Sequence, residues 1–88
     1  MIFEVIVQED QRKVLMAMDK SIRGRIIQRI ARMRNEPPGR HLRHGLDYFV
    51  EQAGQYRIIY ILDDNKKEIY FIGDHKEYER WYRRKIIG

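Results

Sequence analysis

Five places in the sequence carry side chains able to hold a phosphate or move a proton. Near the C-terminal end, Arg80, Arg83, Arg84 and Lys85 are interleaved with Trp81 and Tyr82. Cations beside flat rings suit RNA, since the charges can grip phosphates while the rings stack on bases. After Pro37-Pro38-Gly39 comes a basic patch, RHLRH, made of Arg40, His41, Arg43 and His44 around Leu42. Its two histidines have a spacing that could suit a metal, but no further ligand accompanies them, so phosphate contact is the expected role and no metal site is assigned. Arg57 stands alone on a strand-like run, where its same-face neighbours are Ile59 and Ile61. A cation there is costly without a partner, and the partner is either an anionic ligand or a cross-strand carboxylate such as Glu51 or Glu68. His75 brings an imidazole, the side chain suited to proton exchange near neutral pH. The fifth place is the run from Lys20 to Arg34, with six basic residues and no acidic one. Like charges at helical spacing repel by a few tenths of a kcal/mol per pair, so this face fits an acidic partner, with Arg25, Arg29 and Arg32 as its contacts, better than a purely structural helix.

The elements that must position these groups follow from periodicity. Ile2 to Val7 reads as a strand, and Gln8 to Met18 as a first helix through Val14, Leu15 and Met18. Asp19 or Ser21 can cap a second helix with Ile22, Ile26, Ile30 and Met33 at helical spacing and Ile27 widening the stripe, ended by Asn35 and the prolines. Tyr48 to Gln52, Gln55 to Leu62 and Glu68 to Ile72 read as a three-strand meander turning at Ala53-Gly54 and Asp63-Asp64-Asn65. On the middle strand Tyr56, Ile58, Tyr60 and Leu62 share one face, and Arg57, Ile59 and Ile61 the other. Both faces are largely apolar, so the helix hairpin should cover one and the C-terminal segment part of the other. In that segment Tyr78, Trp81, Tyr82 and Lys85 have helical spacing.

The expected fold is α+β, a small antiparallel sheet of about four strands in the order β-α-α-β-β-β, with a two-helix hairpin on one face and a short C-terminal helix or tail. Residues 1–88 make one domain, too short for a cofactor domain. No cysteine is present, and no apolar run approaches the roughly 20 residues that span a bilayer. A cytoplasmic location with no membrane partner is expected, with no cofactor. The net charge of +5 favours an anionic partner.

Read in order, Gly54-Gln55-Tyr56-Arg57-Ile58-Ile59-Tyr60, then Ile69-Tyr70-Phe71-Ile72-Gly73, then His75-Lys76 and finally Tyr82 resemble the RelE/ParE toxin superfamily. The likeness extends over almost the whole chain through the first strand, the helix hairpin and the Pro-containing loop. It implies a RelE-like messenger RNA interferase, a metal-independent endoribonuclease that cuts ribosome-bound mRNA by attack of a ribose 2′-hydroxyl on the adjacent phosphate. It further implies neutralisation by a cognate antitoxin, RelB-like, acidic and helical. On this resemblance Arg57 stabilises the phosphate's charge, Lys76 is a second catalytic cation with His75 beside it, and Tyr82 acts as base or stacks on the substrate. RNA binding falls to Arg40, His41, Arg43, His44, Trp81, Arg83, Arg84 and Lys85. One departure stands out. Where many RelE-like toxins carry R-x-R on the strand before the turn, this chain has Val50-Glu51-Gln52, so either the RHLRH loop supplies the charge, or the chemistry is slower, or the protein binds without cutting. The alternative readings are a ParE-like inhibitor of DNA gyrase and a non-catalytic binder of RNA or protein.

Overall fold

A computed structural model describes residues 2–42 and 47–87. The elements, in chain order, are β1 (Glu4–Val7), α1 (Glu9–Met16), α2 (Lys20–Met33), β2 (Arg40–His41), β3 (Tyr48–Ala53), β4 (Tyr56–Asp63), β5 (Lys66–Asp74) and α3 (His75–Tyr82), followed by a π-helical turn, Arg83–Ile87. Glu9 and Asp10 in the first turn of α1 suit its positive dipole end. The Asp19 carboxylate caps α2 by accepting from the Ser21 backbone N–H at 3.3 Å.

The architecture is α+β as expected, but the sheet is mixed and has five strands in the order β1-β5-β4-β3-β2. The three-strand meander is antiparallel, whereas β1 runs parallel to β5. The helix hairpin forms part of the long connection that a parallel pairing requires, and it leaves β1 beside the last strand. The additional strand is β2, two residues from the RHLRH patch whose Arg40 and His41 lie opposite Val50 and Phe49.

Both faces of the sheet are covered. On one, Leu15, Ile26 and Met33 of the helices pack against Ile58, Tyr60 and Ile69. On the other, Trp81 of α3 packs with Leu42, Val50 and Ile59. Ile27 does not extend the apolar stripe of α2; it is among the exposed hydrophobics. A bulge allows β5 to serve both faces. Ile59 lies opposite Phe71 but Tyr60 opposite Ile69, so Tyr70 is the extra residue and the inside-outside parity changes across it. Lys67, Ile69 and Ile72 consequently face the helix hairpin while Phe71 faces α3.

A polar network joins the C-terminal end of α2 to the sheet. Fully buried Lys67 donates from Nζ to the Met33 carbonyl at 2.7 Å and the Glu36 carbonyl at 2.8 Å, capping α2 with a positive charge. Its ammonium also lies 4.5 Å from the Phe3 ring centroid. Burial pushes its pKa down, opposed by the charges of Glu51 and Glu36. Arg29 bridges Glu36 and Glu51, and the second oxygen of Glu51 accepts from the Tyr60 hydroxyl at 3.0 Å. The same hydroxyl accepts from the Gly39 N–H at 2.9 Å. Gly39 must be glycine, because a Cβ would meet the Glu51 carboxylate and come within 2.7 Å of the Val50 carbonyl oxygen. Arg29 is therefore not free for the acidic partner expected on α2. Its guanidinium turns inward to two carboxylates, one seven residues on and one on β3, while Arg25 and Arg32 remain exposed.

This pairing has a consequence at acid pH. The hydrogen bond from Arg29 is the largest influence on Glu36 and holds its carboxyl below the ordinary value of 4.5. The unfolded chain thus binds a proton at a pH where the folded chain does not. The resulting stability is present above the unfolded pKa and disappears as pH falls through the folded one. Glu36→Gln should flatten the acid limb of the stability profile, as followed by urea melts between about pH 3 and 6, the range around an ordinary carboxyl pKa; an unchanged acid limb would discount the pair.

Candidate nucleic-acid site

The residues with chemical potential meet on the α3 side of the sheet. A capping box starts this helix: Asp74 Oδ1 accepts from the Glu77 N–H at 2.8 Å, and Glu77 Oε1 accepts from the Asp74 N–H at 2.9 Å. Asp74 is thus the N-cap of α3, and His75 is its first helical residue. From there His75, Tyr78, Glu79 and Tyr82 recur at i, i+3, i+4 and i+7 and share one face. Together with Arg40, His41, Leu42 and Arg83 they line a cleft of about 520 Å³.

His75 and Tyr82 thus come together as cleft-lining residues, joined from β2 by Arg40 and His41. His75 Nε2 lies 2.9 Å from Glu79 Oε1, an i, i+4 pair. His41 also rests against Phe49, with centroids 4.8 Å apart. Lys76 is exposed and does not line the cleft; it follows His75 on a helix where successive residues turn by about 100°.

Arg57 stands on β4 beside the cleft but is not part of its lining, and its ladder partners are Gln52 and Gly73. Neither expected carboxylate pairs with it. Glu51 is engaged by Arg29 and Tyr60 on the opposite face, and Glu68 lies across from Ile61. The buried Nε of Arg57 has no hydrogen-bond partner among the described residues. Its guanidinium carbon lies 5.6 Å from the centroid of the Tyr78 ring, and Tyr78 is itself a cleft wall. Burial raises the pKa of the Tyr78 hydroxyl, while the charges of Arg40 and Arg57 oppose that rise. Two guanidiniums therefore act on the same tyrosine.

Other expected contacts are displaced. Trp81 is only 6% exposed, edge-on to Tyr48 and stacked with Phe71. Its faces are used in the core, so it is not a platform for a base. Arg84 and Lys85 are exposed in the π-helical turn and do not line the cleft. Arg43 and His44 lie outside the described residues. The absence of a cation at position 50 has a packing reason, because Val50 is 5% exposed beneath α3. Its neighbour in the β2–β3 ladder is Arg40, so the cation stands one strand over. Tyr78 and Glu79 were not anticipated as site residues. The stripe starting at Tyr78 marked packing, whereas the cleft-facing set starts three residues earlier, at His75.

A mixed sheet with a helix hairpin on one face and a short C-terminal helix on the other is here the fold of RelE toxins. Three solved structures carry the likeness. In the RelBE2 toxin–antitoxin complex of Mycobacterium tuberculosis, the matched chain superposes with a TM-score of 0.76 at 21% identity, covering 85% of this chain and 100% of that one. The free Escherichia coli toxin RelE, a double mutant, gives 0.72 at 16% identity, covering 98% and 100% respectively. The archaeal RelE–RelB complex of Pyrococcus horikoshii gives 0.68 at 20%, covering 84% and 96%. No protein-family model and no curated protein matches the sequence. Among the described residues, no helix is long and apolar enough to cross a membrane.

Proposed function

We propose that this chain is a RelE-like toxin that cleaves ribosome-bound messenger RNA by attack of a 2′-hydroxyl on the neighbouring phosphate. The observation that carries this reading is Arg57, a half-buried guanidinium with no carboxylate partner among the described residues, held against a wall of a basic cleft. Charge developing on the phosphate needs such a donor. His75 transfers a proton, and Tyr82 contacts the substrate from the same helix face. Arg40, His41 and Arg83 hold flanking phosphates, while Lys76, Arg84 and Lys85 extend the positive path outside the cleft. An acidic, helical antitoxin occupies the exposed side of α2 at Arg25 and Arg32. Val50 and Gln52 favour a second reading, RNA binding without cleavage.

Incubating the protein with messenger on programmed ribosomes tests the proposal. Discrete cuts support it; intact messenger with retained RNA binding selects the second reading. Inhibition of gyrase supercoiling with neither would place the protein among DNA gyrase inhibitors.

Arg40 provides a narrower check. As the cation beside Val50, its replacement by alanine should weaken RNA binding and reduce the slope of log affinity against log salt by about 0.7, the value for one phosphate contact on a single strand. Titrations at several salt concentrations measure it. An unchanged slope would remove Arg40 from the phosphate contacts.

A further inference from the structure

Arg57 is a half-buried cation with no carboxylate to balance it. Its ladder neighbours contribute one amide side chain, Gln52, and none at all from Gly73. What approaches the guanidinium is the ring of Tyr78, 5.6 Å away at its centroid. The distinction matters for ligand binding. A bidentate carboxylate occupies N–H donors of the guanidinium, whereas an aromatic face attracts its charge through the ring quadrupole and occupies none.

The ring is itself well held. It stacks near Trp81, with centroids 6.3 Å apart, and leans on Tyr82 at 5.9 Å. The start of its helix is drawn down onto the strand at Gly73. A Cβ on that glycine would come within 2.6 Å of the Phe71 ring and 3.0 Å of the Glu77 Cβ. The bare glycine opposite Arg57 is thus what permits the first turn of α3 to lie so close to β5.

We propose that Tyr78 is a positioning residue: its ring fixes the Arg57 guanidinium while leaving the terminal N–H donors free for an RNA phosphate. This rests on the reading of Arg57 as a phosphate ligand.

The test uses the full chain and a 2′-O-methyl RNA oligonucleotide, which binds but cannot be cut. Two quantities are read: nitrogen relaxation at the Arg57 Nε–H group and affinity for the oligonucleotide. Tyr78→Phe keeps the ring and should leave both close to wild type. Tyr78→Leu should make the Nε–H group mobile and weaken binding about three- to thirtyfold, the span of cation–π contacts from exposed to desolvated sites. The same loss should be absent when Tyr78→Leu is added to Arg57→Ala, because the effect acts through Arg57. Should Tyr78→Leu fail to fold, pentafluorophenylalanine at position 78 preserves the ring's shape while reversing its quadrupole, and should reproduce the loss. If Tyr78→Leu or the fluorinated ring retains both Arg57 order and wild-type affinity, the inference is overturned although Arg57→Ala still weakens binding. If Arg57→Ala binds the oligonucleotide as tightly as wild type, the phosphate role of Arg57 and this inference fall together.

Discussion

Arg57→Ala is expected to slow messenger cleavage roughly a hundred- to thousandfold, the loss of about 3 to 4 kcal/mol of transition-state stabilisation typical of a removed anion donor. Its thermal midpoint should change far less than its rate. The reason is the absence of a carboxylate partner: none among the described residues forms an ion pair with Arg57, so removal breaks no bridge and forfeits only the ring contact with Tyr78. Arg57→Lys keeps the charge but loses the planar fork and should fall between wild type and alanine. Single-turnover cleavage on programmed ribosomes, with melting curves for each variant, measures both effects. An alanine variant that cuts at the wild-type rate would falsify the catalytic assignment.

Glu51→Ala should do the opposite, destabilising the fold by about 3 to 5 kcal/mol, the usual effect of removing one member of a buried ion pair. Glu51 is one residue from Gln52, the ladder partner of Arg57, yet it faces the helix hairpin and is 7% exposed. Its carboxylate binds Arg29 and accepts from Tyr60, and its charge offsets that of buried Lys67. For a domain of this size each kcal/mol moves the midpoint by about 4 to 8 °C, so thermal melts will read the effect easily. Cleavage per folded molecule should persist, since the cleft lies across the sheet. A melting temperature within a few degrees of wild type would show that the network adds little to stability.

Much of this arrangement was legible in the sequence where a local period carried it. The alternation on β4 separated Arg57 and Ile59 from Ile58 and Tyr60, and the structure keeps that division. What escaped depended on partners distant in the chain. Lys67 follows a run of turn residues and reads as solvated, yet it is fully buried because the end of α2 needs a donor. Arg29 sits beside an apolar stripe, and only the fold brings Glu36 and Glu51 to it. Trp81, set among arginines, looked available for stacking until Tyr48 and Phe71 claimed its surface. The β2 strand is two residues long, too short for any period. Parallel pairing of β1 with β5 likewise leaves no local signature. In the cleft, His75 and Tyr82 were identified by type and order, whereas Tyr78 required knowing which way α3 is turned.

α3 has two duties that cannot be separated. Trp81 closes the smaller core from its inner side, and His75, Tyr78 and Tyr82 form cleft wall from the same two turns. The hairpin-side core does not include α3. Partial opening could therefore lift α3 while the larger core stays folded, a sub-global unit of the kind that hydrogen exchange resolves. Such an opened molecule would retain the helix hairpin and its core while losing one wall of the cleft.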